Sequence, residues 1–361
     1  MPLPLTPKDL ERWHALYAQS GRSTPFQSPE WLGELYNRHT KGQPRPLFTP
    51  HGFVPLMAER KGPSFTLRLA GGDYEDILCA PGDEVVAVTE LLEALERESG
   101  WIVSNFRALR EDGALLTGWD EVQDRVAAAR VMRHRVHKFV QLPKTWADYE
   151  PQLGKKFAYK LRAAAGRRDK AFATNELRRS TAETLDADLE ALFNLHASRW
   201  TARGEPGVFV DVDGRDAFCK ASRALLASNQ LWLYTLWLDG MAASALYCLV
   251  DRRAAYYYIG GIDIAHQKHH PGKVLIAQAI KDAIDAGLHE FDFLGGGEAY
   301  KDDWANAERQ VYRLVIGRGV LGWIAVRGFG PIDNFLRARK LKREAKRAQA
   351  WVKPEPEPEE G

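Results

Sequence analysis

The chain has 361 residues, 45% hydrophobic, 27% charged and 11% aromatic, which is the balance of a globular protein of two domains or one large one. A formal charge of only +2 excludes a global drive toward DNA, and no run reaches the roughly 20 apolar residues that span a bilayer. Cys79, Cys219 and Cys248 stand far apart without CxxC spacing and the first thirteen residues lack a basic-then-apolar leader pattern, so a reducing cytoplasm is expected, with neither disulfide framework nor structural zinc.

Leu5 to Ser20 is predicted as a helix with Leu10, Trp13, Leu16 and Tyr17 on one face, and Phe26 to Asn37 as a second behind the Ser28-Pro29-Glu30 start signal. Strands are expected at Gly52–Glu59 and Phe65–Ala70, across a Lys61-Gly62-Pro63 turn. A helix over 83–98, stopped by Gly100, precedes strands at Trp101–Phe106 and Val131–Leu142. Residues 153–170 form a helix with Leu153, Phe157, Leu161 and Ala164 in one stripe. Between Lys155 and Lys170 it carries seven basic residues against one Asp, either a solvated face or a surface for phosphate, RNA or an anionic lipid-linked substrate. Phe172 to Arg179 follows as a strand.

In the second half, Leu185, Leu189, Leu192, Phe193, His196 and Trp200 share one helical face. Asp213-Gly214 reads as a turn before a helix at Arg215–Ser228. Three strands follow, at Leu231–Leu238, Met241–Val250 and Ala254–Gly261, the first two joined by the hairpin signal Asp239-Gly240. Gly272–Ala286 is an amphipathic helix ended by Gly287, Glu290–Leu294 a buried strand, and Gln310–Gly317 the last strand. Asn334 to Ala350 is expected as a basic helix, with seven Lys or Arg against one Glu from Arg337 to Arg347, and the Pro/Glu tail 351–361 as disordered.

Several motifs stand out: Leu195-His196-x-x-Arg199-Trp200, Tyr256-Tyr257-Tyr258-Ile259-Gly260-Gly261, Pro271-Gly272-Lys273, Phe291-Asp292-Phe293-Leu294-Gly295-Gly296-Gly297 and Tyr300-Lys301-x-x-Trp304. Pro25-Phe26-Gln27-Ser28-Pro29-Glu30-Trp31 and Leu69-Ala70-Gly71-Gly72-Asp73-Tyr74 add to them in the first half, and the latter weakly echoes Phe293–Glu298. With the element order, they resemble the GNAT acyltransferases, and within them the FemAB/CelD-like branch, in which two GNAT-like halves share one chain. The resemblance covers about Pro25 to Gly319. It implies an α/β (α+β) fold of tandem GNAT-like mixed sheets flanked by helices. The expected divisions are a degenerate GNAT-like half at 1–150, a basic helix and connecting strand at 151–180, a catalytic GNAT domain at 181–319, a basic C-terminal helix at 320–350 and the tail.

By that resemblance the donor's pyrophosphate rests where a loop feeds a helix N-terminus, since free amides and the dipole favour an anion there. The matching stretch is Gln267-Lys268-His269-His270-Pro271-Gly272 leading to Lys273; Gln267 and Gly272 fit the motif, and His270 replaces its middle glycine. The plainer reading of that stretch is a polar loop capping a helix. Asp263, His266, His269 and His270 have ligand-type side chains, but no second cluster accompanies them and no metal is expected. On the preceding strand, Ile259 and Gly260 fall where GNAT enzymes offer a backbone amide to the thioester oxygen. Tyr258 is either a proton donor to the leaving thiolate or a packing residue. Asp292, alternating with Phe291 and Phe293, and Glu298 are the candidate bases. Lys301, after three glycines, is a candidate fixed cation, with Tyr300 and Trp304 beside it at the substrate. His196, Arg199 and Trp200 share a helix side by i, i+3, i+4 spacing; His196 is either a core histidine or, with Arg199, an acceptor contact.

The expected function is transfer of an acetyl or other acyl group from acyl-CoA to an amine or hydroxyl of an envelope or polysaccharide-related acceptor, small or linked to lipid or sugar. One alternative is a Fem-type transfer from aminoacyl-tRNA to a peptidoglycan precursor; another is a non-catalytic module that binds anionic precursors. Val320, Leu321, Trp323 and Ile324, ahead of Arg337–Arg347, allow peripheral contact with an anionic membrane at its inner face.

Overall fold

The computed structural model describes residues 5–37, 42–62, 64–201, 209 and 211–328, with backbone alone at a few helical positions, Arg199 and Trp200 among them. The first half runs α1 (Pro7–Gln19), α2 (Pro29–Asn37), β1 (Gln43–Thr49), β2 (Gly52–Lys61), β3 (Ser64–Leu69), β4 (Leu78–Cys79), α3 (Glu84–Arg97), β5 (Trp101–Arg110), α4 (Ala114–Val122) and β6 (Ala129–Gln141). A short α5 (Trp146–Tyr149), the basic α6 (Lys155–Ala171) and β7 (Asn175–Arg179) lead into the second half. That half comprises α7 (Leu185–Thr201), α8 (Val212–Ala227), β8 (Leu231–Leu238), β9 (Met241–Val250), β10 (Ala254–Ile262), α9 (Pro271–Asp285), β11 (Glu290–Asp292) and β12 (Ala307–Gly317). A further helix, α10, spans 319–328. No helix among the described residues is long and apolar enough to cross a membrane.

Local chemistry accounts for the boundaries. Thr6 and Asp9 form a reciprocal capping box at the start of α1, and the buried Trp13 donates its indole N–H to the Gln27 carbonyl at 2.9 Å. Asp239 and Gly240 both take positive φ, 48° and 77°, as a two-residue hairpin between right-twisted strands requires. Gly287, at φ 70°, ends α9 in the left-handed position that costs a glycine nothing.

Eleven strands lie in one sheet in the order β1-β2-β3-β5-β12-β6-β11-β10-β9-β8-β7, with β4 attached to β2. Each half contributes the same unit: an antiparallel three-strand meander, a crossover helix and a strand returning parallel to the third, β3 with β5 and β10 with β11. The closing strands are exchanged. β6, which ends the first half, pairs with β11 of the second, and β12, which ends the second, pairs with β5 of the first; β6 and β12 pair with each other along the centre. Three large apolar clusters and one small one fill the layers between sheet and helices, and one of the large ones joins Trp13, Phe26 and Trp31 of the first half to Leu192, Tyr247 and Tyr256 of the second.

Most predicted elements are present. β1 was not foreseen, because Pro44 and Pro46 speak against a central strand; it is an outer strand, where missing amides cost little. α4 was also not foreseen. Asp213-Gly214 is no turn: Asp211 caps α8 by accepting from the Gly214 amide at 3.1 Å, which draws both residues into its first turn. The predicted helix 334–350 and tail 351–361 lie outside the described residues.

Candidate active site

The parallel ladder between β10 and β11 covers only three pairs, Ala254–Tyr256 against Glu290–Asp292. β10 then continues to Ile262 along β9, with its register shifted between Tyr257 and Ile259, while β11 stops and the chain turns at Leu294, φ 57°, into the three glycines. The two strands part like a fork. Beyond Tyr256, the β11-side edge of β10, with Tyr258, Ile259 and Gly260 on it, has no strand partner among the described residues.

The N-terminus of α9 sits at the open end of β10. A Cβ on Gly272 would stand 2.6 Å from Ile262 Cδ1, so glycine is what lets the helix start close against the strand. His270 holds φ 53° and ψ 44°, the left-handed conformation that glycine adopts most readily. The residue replacing the expected glycine has therefore kept a glycine-like backbone. No acidic residue stands in the first turn of α9. Lys273 Nζ lies 4.4 Å from the Phe157 ring centroid of α6 and 3.7 Å from Asp303 Oδ2, whereas Gln267 and Lys268 are exposed. Asp263 caps the loop, and its Oδ2 lies 2.6 Å from His266 Nδ1. Among the described residues, no three His, Cys, Asp or Glu side chains converge to hold a metal.

Across the fork, residues 294–301 fold over Lys301. Its side chain is 3% exposed, and Nζ donates to the Gly295 carbonyl at 2.8 Å and meets Glu298 Oε2 at 3.0 Å. A Cβ on Gly296, whose φ is 124°, would stand 2.9 Å from that Nζ, so the loop closes on the cation only as glycine. Glu298 is half exposed. Trp304 is buried edge-on against Phe157 at 4.9 Å, and its indole N–H is buried without a hydrogen-bond partner among the described residues. Tyr300 lies 6.3 Å from both Tyr257 and Phe293.

The floor of the fork belongs to both halves. Asp292 is fully buried; it accepts from the Tyr74 hydroxyl at 2.5 Å, the Leu294 amide at 2.7 Å and Arg309 Nη1 at 3.2 Å. Its carboxyl thus ties the end of β11 to the first half and does not open on the cleft, as strand alternation had suggested. Burial raises its pKa to about 6 despite the Tyr74 hydrogen bond and the Arg309 cation. Beside it Asp73 pairs with Arg135, and Arg135 Nε donates to His137 Nε2 at 3.0 Å. Burial, together with the cations of Arg135 and Lys301, pushes His137 down to about 2, so its ring is neutral. Its Nδ1 is buried without a partner among the described residues. Burial also pushes the Tyr258 phenol upward, with the Asp73 charge adding to it, which keeps the phenol protonated as a donor. That ring packs against Trp31, 4.8 Å between centroids.

The fold thus brings together Tyr258, Ile259, Gly260, Asp292 and Lys301 around the fork, with His270, Gly272 and Lys273 at the α9 end. His196 is 3% exposed and packs 5.1 Å from Phe209 in the core. The side chains of Arg199 and Trp200 lie outside the described residues. Sequence reasoning did not assign Asp73, Arg135, His137 or Arg309 to the site. For Arg135 and His137 the local signal was the density of charge in the strand Ala129–Gln141, unusual for the middle of a sheet, and for Asp73 it was the Gly71-Gly72-Asp73-Tyr74 motif.

Residues 158–302 match the family model described as the acetyltransferase (GNAT) domain. No curated protein matches the chain by sequence. Among solved structures the fold is similar to FemX, with a TM-score of 0.63 at 11% identity, covering 86% of this chain and 96% of that one. It is also similar to the C-terminal domain of an Agrobacterium fabrum protein assigned as a lysylphosphatidylglycerol synthetase, at 0.57 and 15% identity over 89% and 95% of the two chains. A conserved protein of unknown function from Bacteroides thetaiotaomicron gives 0.57 at 10% identity over 88% and 99%. Residues 158–302 thus match a GNAT acetyltransferase domain, and the fold around them is similar to that of FemX.

Proposed function

We propose that the protein transfers an acyl group from acyl-CoA to an amine or hydroxyl of an envelope or polysaccharide-related acceptor, with the donor held along the fork between β10 and β11. The observation that carries this reading is the three-residue ladder, which frees the edge of β10 beside a helix N-terminus that bears Lys273 and no acid. The donor's phosphates would meet the α9 amides and Lys273. Its thioester oxygen would accept from an amide near Ile259 or Gly260, and tetrahedral charge would be stabilised by that donor and by the field of Lys301. Tyr258, held protonated, is the candidate to protonate the leaving thiolate. Asp292 acts through others: it holds Tyr74 and the start of the glycine loop. Glu298 is left as the candidate base near the acceptor.

Thermal melting with acetyl-CoA, longer acyl-CoAs and free CoA tests the donor class. At about 100 times its dissociation constant a ligand stabilises the native state by about 2.7 kcal/mol, a shift of several degrees, and Lys273→Ala should shrink that shift. No shift with any CoA species would remove the acyl-CoA reading. One observation favours the alternative of an aminoacyl-tRNA donor: α6, whose Lys155, Lys156 and Lys160 are exposed around a 66% exposed Tyr159, packs beside Lys273 through Phe157. RNase-sensitive nucleic acid retained by the purified protein, together with a flat CoA melt, would select that donor.

A further inference from the structure

At the opposite end of β12 from the fork, a second feature is independent of acyl transfer. Trp101 at the start of β5, Leu92 and Leu95 of α3, Val126, Ile316 and Trp323 of α10 line a cavity of about 690 Å³. That lies within the range of small-molecule and lipid-chain pockets. Arg309 at the fork and Gly317 at the cavity are eight residues apart on one strand, roughly 26 Å.

Two properties of the rim define what would bind. The first is apolar surface facing outward. On α10 Val320 is 75% exposed, Leu321 66%, Ile324 55% and Trp323 40%, an unusual density for a helix with no partner on that side among the described residues. The second is cationic. Arg318 lines the cavity with its guanidinium 5.8 Å from the Trp101 ring centroid; Nη2 donates to the Glu96 carbonyl at 3.2 Å, and Nη1 is buried with no hydrogen-bond partner among the described residues. Arg125 lies on the same rim, and Arg327 covers the Trp323 ring at 3.6 Å. Glu93 and Glu96 are the acids on this rim, and Glu93 is paired with Arg97 at 3.8 Å. A buried, unsatisfied guanidinium N–H beside an apolar cavity calls for an acceptor whose other end is hydrocarbon.

We propose that this end of the molecule docks on a bilayer containing anionic lipid. The headgroup anion meets Arg318 and Arg125, a lipid chain enters the cavity, and Val320, Leu321 and Ile324 sink into the interface. Charge complementarity and the continuity of cavity with exposed apolar helix select this occupant over a protein partner. The inference needs no particular acyl donor or acceptor.

Co-sedimentation of the full chain with phosphatidylcholine vesicles, alone or enriched in phosphatidylglycerol, tests it without any CoA present. Binding is expected to the enriched vesicles, with a partition coefficient reduced about fivefold by Arg318→Gln and about tenfold or more by Leu321→Asp combined with Ile324→Asp. All three positions are on the rim or exposed, and an unchanged melting temperature would confirm folding. Phosphatidylglycerol brominated along its chain should quench indole emission, and Trp323→Phe should remove part of that quenching. Failure to bind, binding that survives in both variants, or binding without quenching would overturn the proposal; the second outcome would assign attraction to the basic 337–347 stretch alone. None of these results would alter the CoA melting test.

Discussion

The two halves are built on one plan, yet they differ at the start of the crossover helix, and the donor site proposed above lies in the second. In both, the third strand of a meander runs parallel to the returning strand over three pairs, and a helix crosses between them. The difference lies at the helix N-terminus. α3 is preceded by Asp83 and opens with Glu84, which is buried and accepts from the Gly82 amide at 3.0 Å. α4 closes over it: a Cβ on Gly118 would stand 2.6 Å from the Glu84 carbonyl carbon. An anion approaching α3 would meet a carboxylate and a second helix. α9 opens instead with His270 in a left-handed turn, Gly272 and Lys273. The fork of the first half is spent on structure as well. Its loop sends Asp73 and Tyr74 beneath the second fork, and Asp76 accepts the Ala114 and Leu115 amides that start α4. The same plan thus leaves one helix start closed by a carboxylate and a second helix and the other without an acid, which is why the proposed site is assigned to the second half.

The glycine loop is where a single substitution should cost the second half most. Lys301→Ala is expected to lower turnover about 10²–10³-fold with little change in donor binding, as removal of a preorganised charge-stabilising donor does. Steady-state rates and a CoA titration check it, and an unaffected rate would take the cation out of the chemistry.

A second effect reaches both halves through buried acids. Burial lifts Asp292 and Asp76 to about 6 and Glu75 to about 7. Each folded-state pKa lies above the unfolded one, so between roughly pH 4 and 7 the native state binds more protons than the unfolded chain. Stability should then fall as pH rises through that window, by an upper limit of about 3–4 kcal/mol per group. Urea midpoints across that range test the sign, and Asp292→Asn should flatten the slope in part.

Smaller effects sharpen the contrast between the helix starts. Gly118→Ala should cost about 1–3 kcal/mol, because the added methyl meets backbone, and should leave donor binding intact. His270→Gly should stabilise by about 1 kcal/mol by relieving a left-handed non-glycine, without weakening the donor. Chemical denaturation with and without CoA distinguishes the two.

Much of this was legible in the sequence, for reasons the structure makes plain. The meander Leu231–Gly261, the α9 helix and the Gly295–Lys301 loop rest on local signals: an Asp-Gly turn, amphipathic spacing and a glycine run. β1 and α4 escaped because Pro44 and Pro46 mask an edge strand and because the short α4 has neither a side-chain cap hydrogen bond nor an acid in its first turn. The exchange of β6 and β12 has no local signature, since β12 finds β5 about 200 residues away. The floor of the site was hidden for the same reason. Asp292 was visible, but Tyr74 and Arg309, its partners, arrive from a distant loop and from the exchanged strand.

Amide hydrogen exchange with and without acyl-CoA distinguishes a donor held in the second fork from one held in the first. Protection confined to residues 259–273 and 294–301 is the expected result. Protection at the start of α3, over 80–88, or none at either helix start, would remove the donor from the second fork.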